Sequence, residues 1–560
     1  MYNTNQLNKK TDIMSLKKMG SRYPSRLSFS RSMLRTMIKE KWDLKLKKFD
    51  LCKKGYGTAI YEIKINNQLY SLICFSQHID DSERSDRVIA EKWDTAYTLH
   101  IGKINKKNIN RLKKNIPLQE AGRTSPKEIV LSRANKSIRL FNKVVESLSQ
   151  GKQPSIKDVS NVGYLLRTTA VYGSGKFGLS DFKRTRKKTY FDQPFRAEML
   201  AVYIIREFSV HLVEHIAYNI NPKKFIKLNK KIKQHLGIGN STGLGMAPFI
   251  IKHPKLVHKW IDQFEKTIMK IKTKESLNEK IIKKYINLII KSKNYLKEVD
   301  TNDTLQKQKN KKSYSDIVKF IKKIKYSNPN KLNWKKIITY AENNYSFDTQ
   351  EIIKVQIIEL YPKIADVLAE DMAIEEKLEI NAKSSLKDLK KQIEESYFWA
   401  THTNFNSKKN KYLFWYVSEE KLEPRLGERF NEPGSNLEEP LGIGKMVSEL
   451  YLFLKKLNSN KMTMNTAEFL MLYPQYRGIV RRIQGLSKYK FSEVKDNILA
   501  KNVLPIDMLR FKLSFFGASR YDPKSDRWLR VSFFSGAPFF NDLNFKNVDQ
   551  WGFSNLNSNN

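Results

Sequence analysis

The sequence predicts a mainly α chain with small antiparallel β elements, an α+β protein whose helical body carries an N-terminal hairpin sheet and a C-terminal β-hairpin. Three observations carry this expectation. Apolar residues recur at helical spacing through most of 106–372, strict alternation is confined to 58–102 and 511–533, and Gly, Pro and Asn stand at the seams.

Taken in order, Phe29, Leu34, Ile38 and Trp42 share a helical spacing while Arg31, Arg35 and Lys39 line another face, which predicts a basic helix. Tyr61, Ile63 and Ile65 then alternate up to Asn66-Asn67, a pair suited to the positive φ of a tight turn. Leu69, Ser71, Ile73 and Phe75 return, and Thr95, Tyr97, Leu99 and Ile101 add a third strand. Ser125-Pro126 predicts a helix start, with the helix running to Gly151, and a further helix is expected over 155–169 before the glycine-bearing loop 172–178. A long helix is expected over 194–219, opened by Pro194 and closed before Asn221-Pro222. Others follow near 223–236, 254–272, 277–299, 314–326 and 350–372. The polar, lysine-rich stretch 300–314 reads as a linker, and 419–443 as a second polar loop. At the C-terminal end Phe511, Leu513 and Phe515 alternate, as do Leu529, Val531 and Phe533, with 517–526 as the charged tip between them. These seams divide the chain into 1–105, 106–299, 300–418 and 419–560.

Composition bounds the function. A hydrophobic fraction of 40% and an aromatic fraction of 11% exclude a disordered polymer, and no apolar run is long enough for a membrane span. Two cysteines, Cys52 and Cys74, make neither a disulfide framework nor a four-ligand zinc site, so a cytoplasmic location is expected. The net charge of +46 favours an anionic partner, but it is mostly lysine: 79 Lys against 24 Arg. Between Arg206 and Arg425 there is no arginine at all. Lys, Ile and Asn share A/T-rich codons, so lysine excess on solvated faces has a compositional source. A retained arginine has a stronger reason to be there, either bidentate pairing with a phosphate or carboxylate ligand or a buried ion pair.

Three constellations carry candidate chemistry. In the run Gly237-Ile238-Gly239-Asn240-Ser241-Thr242-Gly243-Leu244-Gly245, residues Gly237, Gly239, Asn240, Ser241, Thr242, Gly243 and Gly245 form a candidate anion cradle. Glycines there let backbone N–H groups approach a ligand, although a tight interhelical turn also uses glycine. Arg167, Lys176, Arg520 and Arg527 are the candidate counter-cations, the last two beside Tyr521 and Trp528. Gly175-Lys176 is not a nucleotide P-loop, because Ala170 and Phe177 occupy the positions of the first glycine and the magnesium-binding hydroxyl.

The third constellation is a polar stripe on the long helix. His211-Leu212-Val213-Glu214-His215 has H-x-x-E-H spacing, and Glu207 lies near the same face. Together Glu207, His211, Glu214 and His215 are candidate acid–base residues, and His211 with His215 a candidate metal pair. A buried polar network would use the same residues.

The expected function is an enzyme acting on a small anionic metabolite, with the glycine loop and arginines holding the anion and the stripe moving protons. RNA binding through the basic surface with Tyr326, Trp334, Trp399 and Trp415 is an alternative, and a metal-dependent hydrolase a third. No nucleophile elbow and no dinucleotide G-x-G-x-x-G after a strand is expected, and the sequence leaves cofactor and oligomeric state open.

Overall fold

The computed structural model describes residues 26–80, 93–115, 127–168, 191, 196–240, 254–274, 277–298, 304–364, 381–407, 415–418, 424–426, 438–441, 443–488, 516–523 and 529–551. The fold is mixed α+β. It divides into a larger unit (residues 20–243, 267–373 and 510–560) and a smaller one (1–19, 244–266 and 374–509). No helix among the described residues is long and apolar enough to cross a membrane.

The larger unit is built on one nine-stranded sheet of order β1-β2-β3-β4-β5-β6-β7-β12-β11. The strands are β1 (Asp43–Leu51), β2 (Gly57–Ile65), β3 (Gln68–Ser76), β4 (Thr95–Ile101), β5 (Glu128–Lys136), β6 (Tyr164–Thr168), β7 (Gly237–Asn240), β11 (Ala518–Pro523) and β12 (Leu529–Phe533). The expected separate terminal sheets are therefore one sheet, closed by strands far apart in sequence. The β2–β3 hairpin turns at Asn66, whose φ of 51° is the left-handed conformation the Asn-Asn pair suggested. β1 was not anticipated. It is an edge strand whose exposed Lys45, Lys47 and Lys48 discourage pairing with another chain.

Two expected helices are corrected. The helix over 125–151 is β5 followed by α3 (Phe141–Ser149), and that over 155–169 is a short α4 (Ile156–Val162) followed by β6. Both strands lie inside the sheet, so their apolar runs lack the alternation of a half-exposed strand. The expected tip 517–526 contains β11 itself, paired with β12 from Ala518↔Phe533 to Pro523↔Leu529, while 511–515 lies outside the described residues. The expected linker 300–314 enters helix α9 (Thr304–Lys325). Ile317, Phe320 and Ile324 of α9 are buried, and lysine is itself a good helix former. Helix α6 (Lys230–His235) replaces the longer 223–236.

The core centres on α5 (Arg196–Ile220), which packs on β3, β4, β5, β6 and β7. All fifteen residues from Arg196 to Val210 are buried, as expected for a helix that is apolar nearly all round and enclosed by a sheet and other helices. On the other face of the sheet, helix α2 (Lys106–Asn115) places Leu112 against Ile60, Ile73 and Phe75. A helical cluster within the same unit comprises α8 (Glu279–Glu298), α9, α10 (Trp334–Asn344) and α11 (Phe347–Glu359), with Tyr285, Phe320 and Trp334 edge to face at its centre.

The smaller unit holds a three-stranded sheet of order β10-β8-β9 formed by β8 (Trp415–Ser418), β9 (Pro424–Leu426) and β10 (Glu438–Leu441). Its helical core joins α12 (Leu386–Ser396), α13 (Phe398–Thr401), α14 (Ile443–Lys456), α15 (Thr466–Leu472) and α16 (Arg477–Lys488) through Leu389, Ile393, Val447, Leu450, Phe469, Ile479, Val480 and Ile483. Reciprocal capping boxes, Ser385 with Asp388 and Asn465 with Glu468, start α12 and α15.

Candidate functional site

The polar stripe of α5 is distributed over four different neighbours. His211 Nδ1 lies 2.8 Å from the Tyr61 hydroxyl on β2, with the two rings within 4° of parallel, and Phe49 meets its edge. Burial, aided by the charges of Lys233 and Lys227, pulls the His211 pKa down to about 4, so the ring is neutral at pH 7. His215 donates from Nε2 to the Cys52 carbonyl in the β1–β2 turn at 2.9 Å. Glu214 accepts the Leu228 amide at 3.1 Å, and Glu207 the Phe540 amide at 2.8 Å. Burial raises both carboxyl pKa values, while the amide bonds act in the opposite direction.

Each group thus ties α5 to a different segment. A ring nitrogen that donates an N–H has no lone pair for a metal, and His215 uses Nε2 this way. Among the described residues no group of three or more His, Cys, Asp and Glu side chains could hold a metal ion.

Several arginines resolve as structural. Arg206 is fully buried and donates to the carbonyls of Leu236 (2.6 Å), Gln234 (2.7 Å), Ala537 (2.7 Å) and Pro538 (3.2 Å), with its guanidinium 3.8 Å from the Phe539 ring centroid. Desolvation lowers its pKa to about 10, still far above neutrality. Arg31, on helix α1 (Phe29–Lys39), makes a two-pronged ion pair with Glu359 at the end of α11, where Arg26 joins it. Arg35 meets Asp549 at 2.7 Å in α17 (Phe545–Gln550). For these residues the reason for arginine is the buried ion pair or carbonyl cage.

The candidate anion-binding residues are placed by the sheet. β6 and β7 form the one parallel ladder among the described strands; every other ladder is antiparallel. Segments 169–190 and 241–250 follow directly from their two carboxyl ends, and 524–528 joins β11 to β12 at the same end of the sheet. Register places Arg167 opposite Gly239, Gly239 opposite Ser532 and Ser532 opposite Arg520. One transverse row therefore crosses β6, β7, β12 and β11, with an arginine position at each end. At the usual strand spacing those ends are about 14 Å apart. Arg167 is half-exposed.

Gly237 and Gly239 prove to lie in a strand, and each has a packing reason. A Cβ on Gly239 would stand 2.7 Å from the Tyr164 ring, and one on Gly237 would meet the Phe533 carbonyl oxygen and, at 2.8 Å, the Ser535 amide. Asn240 ends β7 opposite Val531. Lys176, Ser241, Thr242, Gly243, Gly245 and Arg527 lie outside the described residues.

The row does not include the α5 stripe: His211 and His215 contact the β1–β2 hairpin, and Glu207 and Arg206 hold segments at the amino end of β7. Sequence reading overlooked Arg133, which stands two residues before Asn135, the partner of Arg167. Its guanidinium lies 4.3 Å from the Trp93 ring centroid. Its signal was the same retained arginine, hidden because 125–151 read as a helix. Of the aromatics expected to stack on RNA, Trp334 is fully buried and donates to the Tyr361 hydroxyl, whereas Tyr326 is 89% exposed. Compared with family models, curated proteins and solved structures, the chain matches none.

Proposed function

We propose that the chain binds a small phosphate- or carboxylate-bearing ligand at the carboxyl end of the β6–β7 pair, as an enzyme acting on an anionic metabolite would. The observation that carries this reading is the register row Arg167–Gly239–Ser532–Arg520. Loops that follow the carboxyl ends of adjacent parallel strands are where α/β sheets hold ligands, because the two segments diverge and leave a crevice. Arg167 and Arg520 pair with the ligand charge, and Ser241, Thr242 and Gly243, which follow β7 in the chain, supply backbone and hydroxyl groups. Lys176 and Arg527 belong to segments leaving the same end. The α5 stripe is occupied in holding the fold, so the reading is one of binding and assigns no reaction. The test is a thermal-shift screen of the full chain against phosphorylated and carboxylated metabolites, since a ligand of the native state raises the midpoint. A panel without a single saturable shift removes the reading.

A further inference from the structure

Arginine is the scarce cation of this chain, and among the described residues several arginines are engaged within the protein. Arg26, Arg31, Arg35 and Arg111 meet carboxylates, and Arg206 meets carbonyls. Arg477 and Arg481 of α16 differ. They stand four residues apart on one face, exposed and half-exposed, and make no ion pair or hydrogen bond among the described residues. Gly478 lies beside Arg477, with nothing within 4 Å of where its Cβ would stand, so the helix backbone is open to close approach there.

The local architecture supplies a second, independent observation. α15, the four residues 473–476 and α16 form a helix, a short turn and a second helix, whose Phe469, Ile479, Val480 and Ile483 share a core with α12 and α14. In such modules the second helix is presented by its amino-terminal half, where Arg477 and Arg481 stand. Residues 443–488 carry eight Lys and Arg against two Glu, a net charge of +6, complementary to a polyanion.

We propose that this face of the smaller unit binds duplex DNA, with the amino-terminal half of α16 in the major groove and Arg477 and Arg481 on phosphates or base edges. A B-form major groove admits a helix, whereas the deep, narrow major groove of duplex RNA does not. Unpaired arginines distinguish this surface from the chain's general lysine coat.

The experiment is fluorescence anisotropy of the full chain with a labelled mixed-sequence DNA duplex over a salt series. It compares wild type, R477A/R481A and K322A/K325A. The last removes the same charge from exposed lysines of α9. The arginine variant is expected to bind about tenfold or more weakly, with the log–log salt slope shallower by about 1 to 2, because each lost phosphate contact contributes roughly 0.9. The lysine variant is expected to stay within about threefold of wild type. Both variants alter solvent-facing groups, so unchanged thermal midpoints will show that folding is intact. Equal losses in the two variants, no duplex binding by wild type, or tighter binding of single-stranded RNA or an acidic peptide would each overturn the proposal.

Discussion

Arg167 on β6 stands opposite Gly239 on β7, in the one parallel ladder among the described strands of a sheet whose order runs from β1 to β11. The pair joins an arginine retained by a lysine-rich chain to a strand position where a side chain would have to displace the Tyr164 ring. Ser532 and Arg520 continue the row.

The close approach at β7 makes its glycines testable. Gly237→Ala places a methyl against backbone, the Phe533 carbonyl and Ser535 amide, which cannot yield without moving β12; Gly239→Ala places one against the Tyr164 ring, which can tilt. Both variants are expected to be destabilised by about 1–3 kcal/mol, with Gly237→Ala the worse. Chemical denaturation of the two proteins will show the order. A neutral Gly237→Ala would remove the packing explanation for these residues.

Arg206 is expected to tolerate no replacement, lysine included. Its guanidinium reaches four carbonyls from 234 to 538 at once, and an ammonium has three donors on a point charge that cannot span them. Arg206→Lys is expected to cost about 3–5 kcal/mol, since it strands buried carbonyls around a poorly solvated cation. A melting temperature within a few degrees of wild type would contradict this.

His211 gives stability an acid limb of definite sign. Its folded pKa of about 4 lies below the ordinary 6.5, so between these values the unfolded chain binds the extra proton. Stability from the neutral ring is complete above pH 6.5, falls as pH drops toward 4, and is level below. The loss approaches about 3 kcal/mol for a shift of this size. His100, whose pKa burial also lowers, adds in the same direction. Glu207 and Glu214, with raised values, oppose it by stabilising the fold as they protonate. His211→Asn keeps an amide near the Tyr61 hydroxyl and removes the titration. The difference between its urea-denaturation pH profile and that of wild type therefore isolates His211. Parallel profiles between pH 4 and 6.5 would show that the ring does not remain neutral.

Much of the fold was legible where one face of an element meets solvent or where turn chemistry is local. Phe29, Leu34 and Ile38 marked α1, Asn66 marked the β2–β3 turn, and Pro194 and Asn221-Pro222 bracketed α5. β5 and β6 were illegible because strands paired on both sides in a covered sheet carry apolar runs that look like helix. β7 was illegible for another reason: Gly-Ile-Gly-Asn has little strand propensity, and it extends only because Tyr164 and Phe533 close on it from both sides. The α5 stripe of Glu207, His211, Glu214 and His215 suggested one acid–base site or one polar network, but its four residues face four different segments, which spacing along one helix does not reveal. The row of Arg167, Gly239, Ser532 and Arg520 spans residues 167 to 532, and only pairing across the sheet brings it together.

The most direct test of the central claim is a calorimetric titration of pyrophosphate, a compact dianionic probe or higher, into wild type, Arg167→Ala and Arg520→Ala. Binding by wild type is expected, with affinity reduced about tenfold or more in each variant, since a charge-assisted pair to a phosphate contributes roughly 1.5–3 kcal/mol. Thermal midpoints of the unliganded variants, measured alongside, separate a loss of binding from a loss of folding. Wild-type binding that survives both substitutions undiminished would contradict the account, because the anion would then be held elsewhere than at the end of the parallel pair.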